Sequence, residues 1–374
     1  HTLYSSSAAS DVYKRQFPAR LIAKLAERSQ GNPFYLEELL NYVRDQELDP
    51  REAHALDKIE LPDSLHALVL SRIDRLGERE KTTLRAASII GRMFRVAWLA
   101  GYYPDLGDPV TMKSHLDRLQ KFDITLSMPE PEPTYLFKHI VTYEVTYESL
   151  SFAARARLHE RLARFLESQV AAGATRESAV LDVLVHHYTR TDNQEKQRHY
   201  LQRAAHAALL VSAFDTARDH LIRLLDLTPT SDPGRSALER QAGDVHARLG
   251  DYNAAQASLE QALAAAPTDA DRAATRALLA EITFQKGDYS SAQRILLDAV
   301  PLARASRDMR ILCRALSTQG RVNWRLGDTD GVVAAFEESL TLARAVGDVP
   351  RELAALNGLG VAYLHTDGER AEQL

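Results

Sequence analysis

The second half of the chain repeats one pattern of large, small and apolar residues. Four stretches share this pattern, and they begin at Phe214, Tyr252, Tyr289 and Thr329. In each stretch, small or apolar residues follow three, seven and eleven positions after the first residue. Residues spaced by three or four positions lie on one face of a helix, so each stretch predicts a helix with one apolar face. The interval of about 40 residues is typical of helical repeat proteins.

A Gly-Asp pair stands directly before three of these helices. The pairs are Gly250-Asp251, Gly287-Asp288 and Gly327-Asp328. A glycine after a helix can adopt the left-handed conformation that ends it, and the aspartate can cap the next helix. Small residues lie seven positions before the turn glycines, where two helices would approach closely, at Gly243, Ala280 and Gly320. The sequence therefore predicts units of helix, tight turn and helix.

These units resemble the tetratricopeptide repeat. The resemblance implies that residues 168–374 stack into an α-solenoid with a concave surface, because one helix pair cannot bury its apolar face alone. Residues 178–210 are interpreted as a further helix pair leading into the array, and Ala371 fits the small-residue column of a fifth copy. We expect a partner protein or a small effector to bind the concave surface.

Composition excludes several classes of protein. The chain has 46 Lys and Arg against 51 Asp and Glu, a net charge of −5, so it has no general attraction for nucleic acid or an anionic membrane. Cys313 is the only cysteine, which excludes a disulfide within one chain and a cysteine-based metal site. No apolar run is long enough to span a membrane, and we expect a cytoplasmic protein.

The first residues differ from the rest of the sequence. Residues 1–16 show neither periodicity nor the apolar core of a signal peptide. They resemble translated adapter sequence at the ends of metagenomic gene fragments. We expect residues 1–16 to be artefactual and the chain to be a fragment at both ends.

Residues 61–167 predict a winged-helix domain, in which a small β-hairpin follows a bundle of helices. Ile124 and Leu126 alternate with polar residues, and an extended pattern resumes over 134–137, as expected for the two strands of a hairpin. Another helix should begin near Ile140. The other helix signals cover about 62–76, 78–90, 95–101, 109–121 and 153–167.

Winged helices often bind DNA, but the charges of this one argue against nucleic acid as a partner. The relevant side chains are Lys113, Arg118 and Lys121 beside Asp117 on the candidate recognition helix, and Glu130 and Glu132 at the tip of the wing. Backbone phosphates would repel these glutamates, and phosphate contacts normally supply much of the affinity for DNA. The domain is therefore expected to contact protein, with a winged-helix transcription regulator left as an alternative.

Four motifs occur in a fixed order ahead of the repeats. They are GNPFYLEELL, LPDSLHALVLSRIDRL, AASIIGRMF and FKHIVTYEVTYESL. In this order they resemble the downstream part of signal-transducing P-loop ATPases with numerous domains, the STAND class. The similarity is to the bacterial type that is found with adenylate or guanylate cyclase domains and in large LuxR-type transcription regulators. It covers about residues 17–374 and implies that residues 17–60 are the end of an ATPase lid.

The same resemblance assigns three nucleotide-contacting residues. In that family, the proline of a Gly-x-Pro segment in the lid packs on the adenine. A histidine after the last strand of the winged helix reaches the β-phosphate of bound ADP. The matching residues are Gly31, Pro33 and His139, and they would contact ADP or ATP, with Mg²⁺, only in a parent protein that supplies the upstream domain in cis. Each also has a simpler interpretation, since Asn32-Pro33 is an ordinary helix start and His139 an ordinary strand-end residue.

The chain lacks the loop that nucleotide hydrolysis requires. No Gly-x-x-x-x-Gly-Lys-Ser/Thr occurs in the sequence, and this loop holds the phosphates and the metal-binding hydroxyl. We therefore expect no enzymatic activity and no cofactor in this chain, which would begin where an ATPase domain ends. A non-enzymatic tetratricopeptide-repeat scaffold for protein interaction is the main alternative to a regulatory fragment.

Several histidines invite a metal-binding interpretation that the sequence does not support. They are His186, His187, His199 and His206. A structural metal site needs about four convergent ligands, and no cysteine or carboxylate completes such a set near these residues. We expect no metal site in this chain.

Overall fold

The computed structural model describes residues 19–44, 64–128 and 131–366. Contacts between residues divide the chain into two units, with the division between Asp192 and Asn193. The domain borders that we place after residues 60 and 167 stay predictions. Residues 1–16, Glu130 and Ala371, which carry sequence-based expectations, lie outside the described residues.

The first unit combines helices with one small sheet. A short 3₁₀ turn, Pro104–Leu106, follows the fifth helix. The helices are α1 (Ala19–Ser29), α2 (Pro33–Arg44), α3 (Leu65–Asp74), α4 (Glu78–Ile90), α5 (Val96–Tyr102), α6 (Pro109–Lys121), α7 (Ile140–Glu148), α8 (Phe152–Ala171) and α9 (Glu177–Tyr188).

Local chemistry explains where two of these helices begin. The Ser64 side chain accepts a hydrogen bond from the Ala67 amide and caps α3. Asp108 accepts from the Thr111 amide at 2.8 Å and caps α6, whose first residue is Pro109. A proline suits this first position because its missing N–H would have no partner inside the helix. Helix α6 therefore has the bounds that the sequence predicts.

Three antiparallel strands form the sheet. They are β1 (Met93–Arg95), β2 (Thr125–Met128) and β3 (Thr134–Phe137), in the order β1-β3-β2. In the hairpin, Thr125 pairs with Phe137 and Met128 pairs with Thr134. The hairpin strands lie where the sequence predicts extended chain, whereas β1 was not anticipated.

Aromatic residues from the sheet form part of the core of the first unit. Phe94, Tyr135 and Phe137 are buried, and the ring centroids of Phe94 and Phe137 lie 5.7 Å apart. Phe94 lies on β1, opposite Tyr135 of β3. Strand β1 thus adds the side chain of Phe94 to the core, and burying a large apolar side chain contributes roughly 1.5–3 kcal/mol.

The second unit is a series of antiparallel helix pairs. Consecutive helices pack on each other, and the first helices of successive pairs also contact one another. The helices are α10 (Gln194–Leu210), α11 (Phe214–Asp226), α12 (Arg235–Arg248), α13 (Tyr252–Ala264), α14 (Asp269–Gln285), α15 (Tyr289–Ser306), α16 (Met309–Leu326), α17 (Thr329–Val346) and α18 (Val349–Thr366).

The Gly-Asp pairs act in the turns as predicted. Gly250 has a φ of +82°, a conformation that glycine adopts without a steric penalty. The Asp251 side chain then accepts a hydrogen bond from the Ala254 amide at 3.0 Å and caps α13. The same arrangement recurs at Gly287-Asp288 and at Gly327-Asp328.

The small-residue column is confirmed as a site of close helix approach. A Cβ atom added at Gly320 would lie 2.8 Å from the ring of Phe336 on the next helix. A Cβ atom at Gly243 would come equally close to Leu259. The predicted apolar stripe is also core, because Phe336 packs with Val332 and Leu340 and is only 3% exposed.

Candidate functional site

The turn before α2 has the geometry of a capped helix start. Gly31 has a φ of +79°. The Asn32 side-chain oxygen accepts hydrogen bonds from the amides of Phe34 at 3.1 Å and Tyr35 at 3.2 Å. Pro33 is the first residue of the helix and is exposed. Asn32 and Pro33 therefore act as an ordinary helix start. The exposed ring of Pro33 can still make a further contact.

His139 lies directly beside this turn. Its imidazole stacks on the ring of Phe34, with centroids 4.0 Å apart and planes inclined by 28°. His139 precedes α7 and follows β3, as the sequence indicates. Phe34, which directly follows Pro33, therefore contacts His139, more than 100 positions later in the sequence.

The environment of His139 favours a neutral imidazole. Burial lowers its pKa, and the positive charge of the adjacent Lys138 lowers it further. A neutral imidazole can donate one hydrogen bond and accept another. Its ring nitrogens make no hydrogen bond to any residue in the described parts of the chain, so the ring can donate to an external oxygen.

Two ion-pair systems, which sequence reasoning missed, hold α2 in this position. Glu38 of α2 is only 3% exposed and pairs with Arg72 of α3. Arg72 also donates a hydrogen bond to the Phe122 carbonyl at 2.8 Å. Lys138 reaches Glu37 of α2 at 3.3 Å and also pairs with Asp123.

We call the ion pairs Glu38–Arg72 and Glu37–Lys138 the clamp. Burial acts on its most buried carboxyl group. It raises the pKa of the Glu38 carboxyl, and the hydrogen bond and charge of Arg72 act in the opposite direction. A carboxylate buried in this way needs its cation, because an unpaired buried charge is costly. The clamp therefore makes the position of α2 depend on Arg72.

Two of the three basic residues on the candidate DNA-contacting helix α6 are paired with carboxylates. Lys113 lies 3.3 Å from Asp117, and Arg118 lies 2.5 Å from Glu80. In the connection between β2 and β3, Glu132 pairs with Arg95 at 3.4 Å. These pairings offset the positive charge of Lys113 and Arg118, and of the three basic residues only Lys121 has no carboxylate partner among the described residues, so the helix has little positive charge to meet a phosphate backbone.

A buried histidine pair lies elsewhere in the first unit. The Nδ1 atoms of His159 and His187 are 2.8 Å apart, and each side chain is 1% exposed. The Nε2 atom of His159 also lies 3.0 Å from the Tyr147 hydroxyl. Burial lowers the pKa of His159 to about 3 and that of His187 to about 2. Both rings are therefore neutral at pH 7.

The rings of Tyr147 and His186 lie beside this pair, and the positive charge of Arg190 lowers the pKa of both histidines further. Within the described ranges, no group of three or more His, Cys, Asp or Glu side chains could hold a metal ion. None of the helices in those ranges is long and apolar enough to cross a bilayer.

The first helices of the repeat pairs line a groove in the second unit, which we call the inner groove. One pocket in it has a volume of about 360 Å³. Its lining is Leu209, Arg240, Gln241, Asp244, Ala274, Ala277, Leu278, Arg310, Ile311, Arg314, Asp348 and Arg351. A second pocket of about 370 Å³ shares Asp244, Leu278, Arg314 and Arg351 with the first. The two pockets are therefore adjacent.

Ion pairs cross the inner groove between helices that are not neighbours in sequence. Arg314 of α16 lies 3.6 Å from Asp244 of α12. Glu281 of α14 lies 3.2 Å from Arg321 and 4.0 Å from Arg351. The surface that we expected to bind a partner is thus lined by charged side chains above an apolar floor.

Comparison with known proteins identifies the repeat type. Residues 234–305 match the tetratricopeptide repeat family model. No curated protein matches the sequence significantly.

Several solved structures are similar to the chain at low identity. One is a signal transduction ATPase with numerous domains and a tetratricopeptide repeat sensor from Pyrococcus horikoshii, with 14% identity and a TM-score of 0.39. That alignment covers 96% of this chain but 56% of the other, so this chain spans little more than half its length.

Two further structures are BtubC from P. vanneervenii and aspartyl phosphate phosphatase F from Bacillus subtilis. BtubC has 18% identity and a TM-score of 0.42, over 56% of this chain and 87% of that one. The phosphatase has 12% identity and a TM-score of 0.44, over 100% of this chain and 83% of that one. The family match over residues 234–305 and the repeated Gly-Asp turns together show that the second unit is a tetratricopeptide-like helical array.

Proposed function

We propose that this chain is the regulatory and sensor part of a STAND-type signalling ATPase. The observation that carries the proposal is the stacking of Phe34 on His139. It joins the helix start at Pro33 to the end of the last strand, which are the two elements that would contact a nucleotide. This contact supports a shared role for the two elements.

In this proposal each segment has a separate task. Residues 17–60 form the end of a lid, and residues 61–167 form a winged-helix domain that transmits the signal. The repeats over 168–374 bind a partner protein or a small effector. An upstream domain in the same protein holds ATP or ADP with Mg²⁺, and the parent works in the cytoplasm, with a cyclase or a transcription-regulating domain as its output.

Binding on the repeats would act by shifting a two-state equilibrium. ADP favours a closed state in which the lid, the winged helix and the upstream domain meet. An effector favours an open state in proportion to its difference in affinity for the two states. The clamp between α2 and the strand end is the part of this closed surface that the present chain supplies.

The residues present suit the nucleotide contacts assigned to them. Pro33 is exposed and can pack on a base. The imidazole of His139 is neutral, and its nitrogens are not used within the described segments, so it can donate to a phosphate oxygen. Gly31 permits the turn that places Pro33 at the start of α2.

A second candidate function is an interaction scaffold without any nucleotide switch. The match of residues 234–305 to the tetratricopeptide repeat favours it, because stacked repeats present extended binding surfaces. A winged-helix transcription regulator that binds DNA through α6 is disfavoured, because Lys113 and Arg118 are paired with carboxylates.

The gene sequence upstream of this chain and the nucleotide content of its product test the proposal. We expect a phosphate-binding loop within one domain length, roughly 250 residues, and ADP that remains with the purified longer protein. The purified present chain should show no hydrolysis of ATP with Mg²⁺. Turnover that follows the protein through repeated purification, or a longer protein without nucleotide, would contradict the proposal.

A further inference from the structure

Arginines and aromatic rings of α7, α8 and the end of α9 lie together in the first unit. They are Tyr143 and Tyr147 of α7, Phe152 and Arg155 of α8, and Arg190 just beyond α9. The rings of Tyr143 and Tyr147 stack with their centroids 6.2 Å apart. We call these residues the arginine cluster. None of them belongs to the clamp or lines the pockets of the inner groove.

Arg155 lies over two aromatic rings. The centre of its guanidinium group is 4.5 Å from the ring centroid of Phe152 and 5.0 Å from that of Tyr147. The Tyr147 hydroxyl lies 3.0 Å from Nε2 of the buried His159, which holds this ring in place. A guanidinium that stacks on rings keeps its N–H donors at its edge, in the plane of the group. The stacking therefore positions Arg155 and leaves its donors for another partner.

Most N–H donors of the two arginines have no acceptor in the described segments. Arg155 donates to no residue there, and its Nε atom is buried without a partner. Arg190 donates one hydrogen bond, at 2.8 Å, to the His186 carbonyl at the end of α9. Within the same segments, neither guanidinium has a carboxylate at ion-pairing distance. The Nη groups of Arg155 and the remaining donors of Arg190 are therefore available to an oxyanion.

The charges of both arginines act on the same buried imidazole. Burial is the main cause of the low pKa of His159, and the charges of Arg190 and Arg155 lower it further. Since the effect of a charge falls with distance, both guanidinium groups lie near His159. Beyond burial and Tyr147, the pKa of Tyr143 is lowered by Arg190 and raised, more weakly, by Glu144. Positive charge therefore dominates this cluster, in a chain whose net charge is −5.

Phe152 adds an apolar platform beside these charges. Its side chain is 84% exposed, although it belongs to a residue type that is usually buried. Arg155 covers part of the ring, and the rest can stack against another planar group. A ligand that suits the cluster therefore combines an anionic group with a planar ring.

The number of unpaired charges indicates which anion fits. A phosphate monoester carries a charge of about −1.5 to −2 at pH 7 and offers three acceptor oxygens, whereas a carboxylate or a phosphodiester carries only one charge. Arginine also matches the oxygens of a phosphate with two parallel hydrogen bonds. Two unpaired guanidinium groups therefore suit a monoester best.

We propose that the arginine cluster binds a phosphate monoester that carries a planar ring, with the phosphate held by Arg155 and Arg190 and the ring stacked on Phe152. This site lies apart from the turn at Pro33 and from the repeats, and it does not depend on the proposed function. The ring can be the base of a nucleoside monophosphate or a phenyl group, as in a phosphorylated tyrosine.

Isothermal titration calorimetry on the purified chain tests the proposal. The probes are phenyl phosphate and adenosine 5′-monophosphate, which distinguish the two sources of the ring. We expect at least one of them to bind with a Kd below about 1 mM. Inorganic phosphate should bind that much less tightly as the ring contact contributes, roughly 2- to 10-fold. A short single-stranded oligonucleotide without a terminal phosphate should also bind more weakly, because each of its phosphates carries one charge.

Variants locate the site. Arg155→Gln and Arg190→Gln should each weaken binding of the tighter probe roughly 10- to 150-fold, as expected for a lost charge-assisted contact. Phe152→Ala should weaken it roughly 2- to 10-fold and leave binding of inorganic phosphate unchanged. Arg157→Gln is the matched control, because it removes an exposed arginine of the same helix that lies two positions away and faces another direction. The exposed Arg190 and Phe152 keep the test valid even if Arg155→Gln lowers stability.

The outcomes decide between this site and a general attraction for anions. Binding of either ring-bearing monoester that is lost in Arg190→Gln and kept in Arg157→Gln supports the proposal, and the tighter probe identifies the source of the ring. Failure of both probes to bind at about 1 mM would overturn it. Equal losses in Arg190→Gln and Arg157→Gln, or tighter binding of the oligonucleotide, would overturn it as well. None of these results bears on ADP retention by a longer protein, which tests the proposed function separately.

Discussion

Phe34 and His139 stack on each other with their ring centroids 4.0 Å apart, although 104 residues of sequence separate them. The contact joins the first turn of α2 to the residue that follows β3. Around it, Glu38 pairs with Arg72, and Lys138 pairs with Glu37. The start of α2 and the end of the sheet therefore form one surface.

The stability of the first unit should depend on Arg72, because Arg72 neutralises the buried carboxylate of Glu38. Arg72→Met should destabilise the first unit by about 3–5 kcal/mol, because Glu38 would be left charged and buried. Replacing both partners, with Arg72→Met and Glu38→Leu together, should restore most of that loss. Urea unfolding of the two variants measures this, and a double variant as unstable as the single one would contradict the account.

The repeat core should depend on Phe336. Phe336→Ala should lower the free energy of unfolding by about 3–5 kcal/mol, through lost burial and the cavity that remains. Repeat arrays lose structure in segments, so hydrogen exchange should rise most within 310–366. Leu297→Ala is a suitable control because Leu297 is exposed, and unchanged exchange in Phe336→Ala would show that the repeat register is wrong.

Two glycines of α18 should respond in opposite directions to the same substitution. A Cβ atom at Gly358 would overlap the ring of Phe336, which Gly320 already confines on its other side. Gly358→Ala should therefore cost about 1–3 kcal/mol. At Gly360 a Cβ atom meets nothing within 4 Å, so Gly360→Ala should stabilise the helix by about 0.4–1 kcal/mol. Thermal unfolding compares them, and an equal effect of both changes would rule out the close packing at Phe336.

The buried histidine pair predicts sensitivity to acid. Burial depresses the pKa of His159 to about 3 and of His187 to about 2, below the unfolded value of about 6.5. The folded state therefore binds fewer protons, and stability falls as the pH drops from 6.5 towards these values. At pH 5 the loss is up to about 2 kcal/mol for each histidine.

A substitution isolates this effect. His187→Leu should flatten the dependence of unfolding free energy on pH between 6.5 and 4.5, because one buried imidazole no longer titrates on unfolding. His199→Leu, at an exposed position of α10, should leave the slope unchanged. A His187→Leu variant with the wild-type slope would show that the pair does not control acid stability.

The sequence predicted the features that local chemistry determines. The turn at Gly250-Asp251 follows from one glycine and one capping aspartate, and α6 follows from Asp108 and Pro109. The contact between Gly320 and Phe336 was also predictable, because small and large residues repeat in step. Such patterns need only residues that lie within one repeat.

Features that depend on distant residues were not predictable from one sequence. Strand β1 has three residues, too few for an alternating pattern, and forms because β3 offers it an edge. Glu38 and Arg72 are 34 residues apart, and Lys138 and Glu37 are 101 apart. Nothing in the local sequence marks these residues as partners, and the same holds for His159 and His187.

The retention of ADP by a longer protein that contains this chain tests the central claim most directly. His139→Ala removes a donor to a phosphate oxygen, and such a bond contributes about 1.5–3 kcal/mol, so ADP affinity should fall roughly 10- to 150-fold. Pro33→Ala should have a smaller effect, since it removes only apolar contact. The nucleotide content of purified wild type, His139→Ala and the control His199→Ala gives the answer. The account predicts that His139→Ala loses ADP and that His199→Ala keeps it. Equal ADP content in the two variants would contradict the account.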